Sequence, residues 1–371
     1  MAYLTNSVWI LRKHRRRILD GEWPTFTGGT LWSWGMGNNG QLGNGTTASK
    51  SSPVQIAGNN WKDPVGGQGF SVWAVKTDGT LWAWGYNSGG QLGDGTTIQK
   101  ASPVQLAGNN WVSASIGHGG SHLGAIKSDG TLWMSGSNSS GEFGDGSTIS
   151  RSSPIQVPGT DWSFVSCGAN VTAAIKSDGT LWTWGHGTNY ALGDGIISRS
   201  SPVQIAGGPW KHVFVSVNSV VALKTDDTMW VWGKNTEGQL GTGTTNPVST
   251  PVQRPGSWKQ VTASYTNTYA IRNDGTMWVC GDNSSGQLGD GTTVSRSLPI
   301  QLTGTSWSSV TGGNYCAGAI KTDGTLWMWG DGNGGQLGDG TIVSKSSPIQ
   351  LIGTSWNSVR SILGSVYATK V

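Results

Sequence analysis

A tryptophan-centred motif returns seven times along this chain at almost constant spacing. It opens at Trp32, Trp82, Trp133, Trp182, Trp230, Trp278 and Trp327, with successive gaps of 48 to 51 residues. The fullest copies read Asp-Gly-Thr-Leu-Trp-x-Trp-Gly, as at Asp78 to Gly85 and Asp323 to Gly330, and Gly-Gln-Leu-Gly-Asp-Gly follows, as at Gly90 to Gly95. A Pro-(Val/Ile)-Gln triplet closes each unit, and a further Trp then recurs at 61, 111, 162, 210, 258, 307 and 356. An apolar residue stands nine positions before an Ala in every copy, including Val65/Ala74, Ile116/Ala125 and Val165/Ala174. Two residues after that Ala comes a Lys, or Arg272 in one copy. Self-similarity at such a period confines the chain to architectures stacked from one supersecondary unit.

The unit is made of strands. Ala174 to Trp182 reads as two short β segments joined through Asp-Gly, the strongest short hairpin signal. Trp-x-Trp has the two-residue period of a strand, so both rings face one side of the sheet. The Pro before Val-Gln cannot donate to a central ladder, which predicts an outer strand there. Four strands per unit of about 50 residues is the arithmetic of a β-propeller blade. The first motif, at Gly29 to Trp32, lacks the strand that precedes every other copy, and a matching strand stands alone from Val359 to Lys370. Pairing the two completes a seventh blade and removes two free sheet edges. The expected fold is all-β: a seven-bladed propeller over residues 27–371, closed by N- and C-terminal strands that share one blade.

Composition agrees with this reading and narrows the function. Sixty Gly supply many tight turns. Twenty-two Trp supply a core despite a hydrophobic fraction of only 35%. Nineteen of the Trp fall in the three repeated registers, leaving Trp9, Trp23 and Trp73 outside them. Net charge is +4, but five of the basic residues (Arg12, Lys13, Arg15, Arg16 and Arg17) precede residue 26, and the remainder is nearly balanced. A neutral body argues against a nucleic-acid-binding propeller. Cys167, Cys280 and Cys316 occupy different places in the repeat and read as buried small residues. No apolar run is long enough to span a membrane, and no secretory signal is expected, because the apolar stretch Val8 to Leu11 is short and precedes the charges.

These motifs resemble the tandem repeats of the regulator of chromosome condensation family, over roughly residues 27 to 371. The resemblance implies a seven-bladed propeller with shared-blade closure. It implies much less about activity, because the family includes a nucleotide exchange factor, a plant UV-B photoreceptor and bacterial protein inhibitors of β-lactamase. The photoreceptor's Gly-Trp-Arg-His-Thr motifs are absent here, and no inserted wedge or basic patch suits an exchange factor.

No constellation of catalytic residues emerges. Gly35-x-Gly37-x-x-Gly40 and Gly330-x-Gly332-x-x-Gly335 match a dinucleotide fingerprint but run into another turn motif rather than a helix. His118 and His122 have metal-ligand spacing without a nearby carboxylate, and His122 falls where the family's repeats often carry a hydrogen-bonding His. Asp282 to Gly286 lacks the ligand count of a calcium loop. The expectation is a protein that is not an enzyme and needs no cofactor or metal.

Function is therefore sought where the copies differ. Four residues before each register Ala stand Phe70, Ser121, Asn170, Asn218, Thr266, Tyr315 and Gly364. Directly after each third strand stand Met36, Tyr86, Ser137, His186, Lys234, Asp282 and Asp331. Each set should form a ring on the disc, and Phe70, Asn170, Asn218, Tyr315, Tyr86 and His186 are the candidate contacts for a protein or a surface glycan. Drift at exposed loops explains such variation nearly as well. Residues 1–26 form a separate basic arm, in which Trp9, Arg12, Lys13, Arg15, Arg16 and Arg17 are candidates for docking on a partner or neighbouring subunit. The leading expectation is a non-enzymatic interaction or structural protein, such as a virion or tail component, otherwise cytoplasmic. The rivals are a monomeric inhibitor or receptor-binding propeller, an exchange-factor-like protein, and a propeller lyase or glycosidase.

Overall fold

The computed structural model describes residues 29–370 apart from 67–69, 118–121, 196 and 363. Twenty-eight strands form seven antiparallel four-stranded sheets, and the one helical element among the described residues is the short turn Thr188–Tyr190. Blade 1 is composite: Lys50–Gln55, Thr30–Gly35, Ser365–Lys370 and Trp356–Ile362 lie side by side in that order. Thr30 faces Lys370 and Gly35 faces Ser365 in an unbroken register, so the expected closure is present. Blade 2 comprises Trp61–Gly66, Ser71–Lys76, Leu81–Gly85 and Lys100–Gln105. Blades 3 to 7 follow within 111–156, 162–205, 210–254, 258–301 and 307–350. In each blade the Pro-bearing strand is one edge, where its missing N–H costs no ladder bond.

The opposite edge strand is innermost and touches its counterparts in both neighbouring blades, which closes the ring. Side chains stitch these inner strands together. Ser115 Oγ accepts from the Cys167 N–H (2.9 Å), Ser166 Oγ from the Val215 N–H (2.9 Å), and Thr311 Oγ1 from the Ser361 N–H (3.2 Å).

The core lies between blades. Seven apolar clusters each draw side chains from two adjacent blades; one joins Leu31, Ile56 and Tyr367 of blade 1 to Trp61, Val72 and Trp84 of blade 2. The second ring of Trp-x-Trp crosses the joint. Trp84 Nε1 donates to the Gln41 carbonyl of the preceding blade (2.8 Å), and Trp34, Trp184, Trp232 and Trp329 donate to Gln336, Glu142, Ala191 and Gln287 in the same way. A Cβ on Gly43 would lie 2.7 Å from Trp84 Nε1, so the glycine of Gln-Leu-Gly is a steric requirement of the joint. A Trp buried in this way contributes a large apolar area and satisfies its one donor.

Three details go beyond the repeat pattern. Trp73, outside the repeated registers, is wholly buried. Its ring packs near Gly93, which also faces Ser135, the residue that stands in blade 3 where five other blades carry the second Trp. The volume lost in one blade is supplied by its neighbour. Ile116 and Val65 do not face Ala125 and Ala74: Ala114 and Pro64 do, because the segments joining the first two strands are longer in blades 3 and 2. Finally, the seven hairpin Trp are half-buried rather than fully in the core. Each stacks on a cation; Lys76 Nζ lies 4.3 Å from the Trp82 ring and 4.4 Å from the Trp61 ring, and every blade repeats the sandwich, with Arg272 in blade 6.

Candidate functional site

The disc has two unlike faces. One is made of the Asp-Gly-Thr hairpins. There Asp78 Oδ1 accepts from the Thr80 N–H (2.9 Å) and Oγ1 (2.7 Å), and Thr80 Oγ1 accepts from Trp82 Nε1 (2.8 Å). Those Thr80 bonds hold the Asp78 carboxyl below its ordinary pKa. The same chain of bonds recurs at Asp129, Asp178, Asp226, Asp274 and Asp323, so this face is one structural device copied around the ring. The other face is made of the loops that join the first two strands of a blade and leave the third. It carries the variable residues.

The two variable sets are a single ring. The N–H of Tyr86 donates to the Phe70 carbonyl (2.9 Å), His186 to Asn170 (2.7 Å), Lys234 to Asn218 (2.8 Å), Asp282 to Thr266 (3.2 Å), Asp331 to Tyr315 (2.8 Å) and Met36 to Gly364 (2.7 Å). The bond depends on the glycine that ends Trp-x-Trp-Gly. Gly85 has φ +98°, and a Cβ there would lie 2.1 Å from the Phe70 oxygen. Backbone geometry thus presents one residue from each set side by side on every blade where both are described; Ser121 and the arm candidates Trp9, Arg12, Lys13, Arg15, Arg16 and Arg17 lie outside the described residues.

Side-chain chemistry divides the ring. Tyr265 (37% exposed), Tyr315 (43%), Met36, Phe70 and Tyr86 (38%) occupy the consecutive blades 6, 7, 1 and 2. Blades 4 and 5 carry Asn170, His186, Asn218 and Lys234, of which Asn170 is exposed and the others half-buried. Phe70 adopts φ +65°, a strained conformation for a bulky residue. Tyr265, absent from the sequence candidates, joins the ring one position before Thr266, and Lys234 Nζ lies 5.9 Å from its ring. The acids of the ring also brace their loops. Asp282 and Asp331 accept from Gln287 Nε2 (2.7 Å) and Gln336 Nε2 (2.8 Å), so the calcium-like stretch at Asp282 is bonded within the protein.

Glu142 is a further residue that sequence reasoning missed. It replaces the Gln of Gly-Gln-Leu-Gly, and its carboxyl is buried, with Oε2 accepting from the Ser140 N–H (2.8 Å). Burial pushes its pKa up. The signal was an acid in a register that holds Gln in five blades and Ala191 in blade 4.

His122 is wholly buried in blade 3, and its Nε2 lies 3.0 Å from Thr172 Oγ1. That hydroxyl donates to the Glu142 carbonyl (2.8 Å), so Nε2 must carry the proton and donate to Thr172. Burial lowers its pKa to about 3, the mark of a structural neutral imidazole and not of a proton shuttle. The three cysteines are buried, and burial raises each thiol to about 12, too high for a nucleophile near neutral pH. Among the described residues, no three His, Cys, Asp or Glu side chains gather as a metal-binding group, and no helix is long and apolar enough to cross a membrane. Both Gly-rich fingerprints end a third strand and enter a turn, as at Gly35 and Gly40 with φ +100° and +70°.

A closed ring of seven four-stranded sheets, built from one Trp- and Gly-rich repeat and joined blade to blade by the same Trp contacts, defines a propeller of the RCC1 type. Residues 30–368 match the family model of the RCC1-like domain, and the chain belongs to that family. The fold is similar to that of Prp20p from Saccharomyces cerevisiae, with a TM-score of 0.85 at 19% identity, covering 96% of this chain and 94% of that one. Human WBSCR16 is similar at TM-score 0.81 and 17% identity, covering 92% and 98%. The Prp20p structure is described together with its binding to Gsp1p and histones, and a related structure holds yeast RCC1 bound to Kap60. No curated protein sequence matches the chain.

Proposed function

We propose that this protein is a non-catalytic docking disc that receives a protein partner on its loop face. One observation carries the reading: a rigid, repeated backbone bond presents two residues per blade side by side on one face, and their side chains differ in chemistry from blade to blade. Exposed tyrosines on such a frame offer large contact area at low conformational-entropy cost. Tyr86, Tyr315 and Phe70 are the principal contacts, with Asn170, Asn218 and His186 on the polar half. Membership of the RCC1-like family supports protein interaction as the general role.

Co-purification from the native source tests this. Tyr86→Ala with Tyr315→Ala should abolish recovery of the partner, whereas Asp178→Asn on the hairpin face should leave it unchanged. Equal recovery in all cases would remove the loop face from consideration. Two narrower versions are separable. If the disc is a subunit of a larger assembly such as a virion or tail, docked by residues 1–26, deleting that arm should release it from the native particle. If it acts as an exchange factor, as its likeness in fold to Prp20p invites, it should accelerate nucleotide release from a small GTPase.

A further inference from the structure

A groove of about 430 Å3 opens where blade 7 meets the composite blade, lined by Met36, Asn38, Lys50, Ser51, Asn333 and Ile342 among others.

The charge in it is unbalanced. In blades 2, 4 and 6 the base that opens the outer strand pairs with the Asp of Gly-Asp-Gly: Lys100 with Asp94 (3.4 Å), Arg199 with Asp194 (3.1 Å) and Arg296 with Asp290 (2.9 Å). Blades 3 and 7 hold both charges in sequence, Asp145 with Arg151 and Asp339 with Lys345. Blade 5 has neither, since Thr242 and Val248 stand there. Blade 1 alone keeps the base and loses the acid, because Asn44 occupies the Asp position. Asn44 Oδ1 still accepts from the Thr46 N–H (3.1 Å) and Oγ1 (2.9 Å), so the turn survives without the charge.

The groove has donors and an apolar floor as well. Asn38 Oδ1 accepts from Ser49 Oγ (3.4 Å), while its Nδ2 and the Asn333 side chain have no intramolecular partner among the described residues. Met36 is held between two glycines, because a Cβ on Gly334 would lie 2.9 Å from its Cγ and one on Gly364 2.5 Å from its Sδ. Ile342 stands at the groove 64% exposed.

We propose that this groove takes an Asp or Glu side chain of the protein partner, adjacent to an apolar residue. The carboxylate lies on Lys50 with the Asn38 and Asn333 amides, and the apolar neighbour packs on Met36 and Ile342. The inference rests on the loop face being the docking surface and names one subsite of it.

Random heptapeptides displayed on phage and selected on the intact protein test it, with the enriched peptides then titrated by fluorescence anisotropy. Selection should enrich Asp or Glu beside an apolar residue. Lys50→Gln should weaken those peptides about three- to fivefold. Asn44→Asp should weaken them similarly with Lys50 intact, by restoring the internal acid. Circular dichroism melts verify that each variant remains folded. Absence of acidic enrichment, or affinities within about twofold for both variants, overturns the subsite. Peptides that lose binding with Tyr86→Ala but not with either of these changes overturn the groove while sparing the loop-face reading.

Discussion

The hairpin face and the loop face are built by the same seven repeats, yet they spend their side chains differently. On the hairpin face, Asp, Thr, Trp and Lys form one bonded and stacked unit in nearly every blade, and their identities are tied to one another. On the loop face the backbone does the bonding, from the N–H of Tyr86 to the carbonyl of Phe70 and equivalently around the ring. A backbone bond places no demand on the side chain. Uniformity is greatest where side chains bond to one another, and the loop-face pairs, held by backbone, tolerate side chains of different chemistry.

The largest test of this contrast removes the closure that both faces share. Deleting residues 356–371 takes two of the four strands from blade 1. The truncated chain should lose cooperative thermal unfolding and resistance to limited proteolysis, since it exposes unpaired edges. Unchanged melting would disprove a ring that depends on its own ends.

Next in size is the difference between the faces. Trp162, 4% exposed beneath Lys176, should cost about 3–5 kcal/mol as Trp162→Ala. Tyr315→Ala on the loop face should stay within about 0.5 kcal/mol, as exposed positions do. Urea denaturation midpoints compare them, and equal losses would erase the distinction.

Proton linkage at the joint comes third. Burial depresses the folded-state pKa of His122 from 6.5 to about 3, so the ring takes up its proton only on unfolding. Stability from the neutral ring is complete above about pH 6.5 and is lost as pH falls toward 3, at about 1.4 kcal/mol per pH unit. His122→Gln should flatten that dependence in melts recorded between pH 4 and 7. An identical slope in the variant would place the proton elsewhere, and His212, lowered by burial to about 4, is then the next group to replace.

The smallest effect concerns two lysines. Lys127 lies 4.3 Å from the Trp133 ring and 4.8 Å from the Trp111 ring. Lys127→Met should destabilise by about 1 kcal/mol through the lost cation–π contacts. Lys50→Gln on the loop face, with no ion pair to lose among the described residues, should leave the unfolding midpoint where it was.

Much of this was legible beforehand because repetition converts weak local signals into strong ones. Asp-Gly between apolar runs is an ordinary hairpin cue, but seven registered Trp positions specify blade number, strand order and closure. The missing first strand and its match at Val359 to Lys370 even located the shared blade. The misses share a cause: they depend on contacts between residues far apart in the chain. Trp73 looked surplus until the gap at Ser135, in the next blade, was visible. Glu142 went unnoticed in the repeat, and its carboxyl proves buried.

The chain by itself determined the period, the strands and the ring, because turn chemistry and alternation act over a few residues and closure follows from counting them. Only the tertiary structure decided that the two variable sets are one surface, that its aromatic residues and Met36 lie together on blades 6, 7, 1 and 2, and that Lys50 lies in a groove between blades 7 and 1. Those facts arise from backbone bonds across 16 or more residues and from blades brought together by closure, and no local rule of sequence encodes either distance.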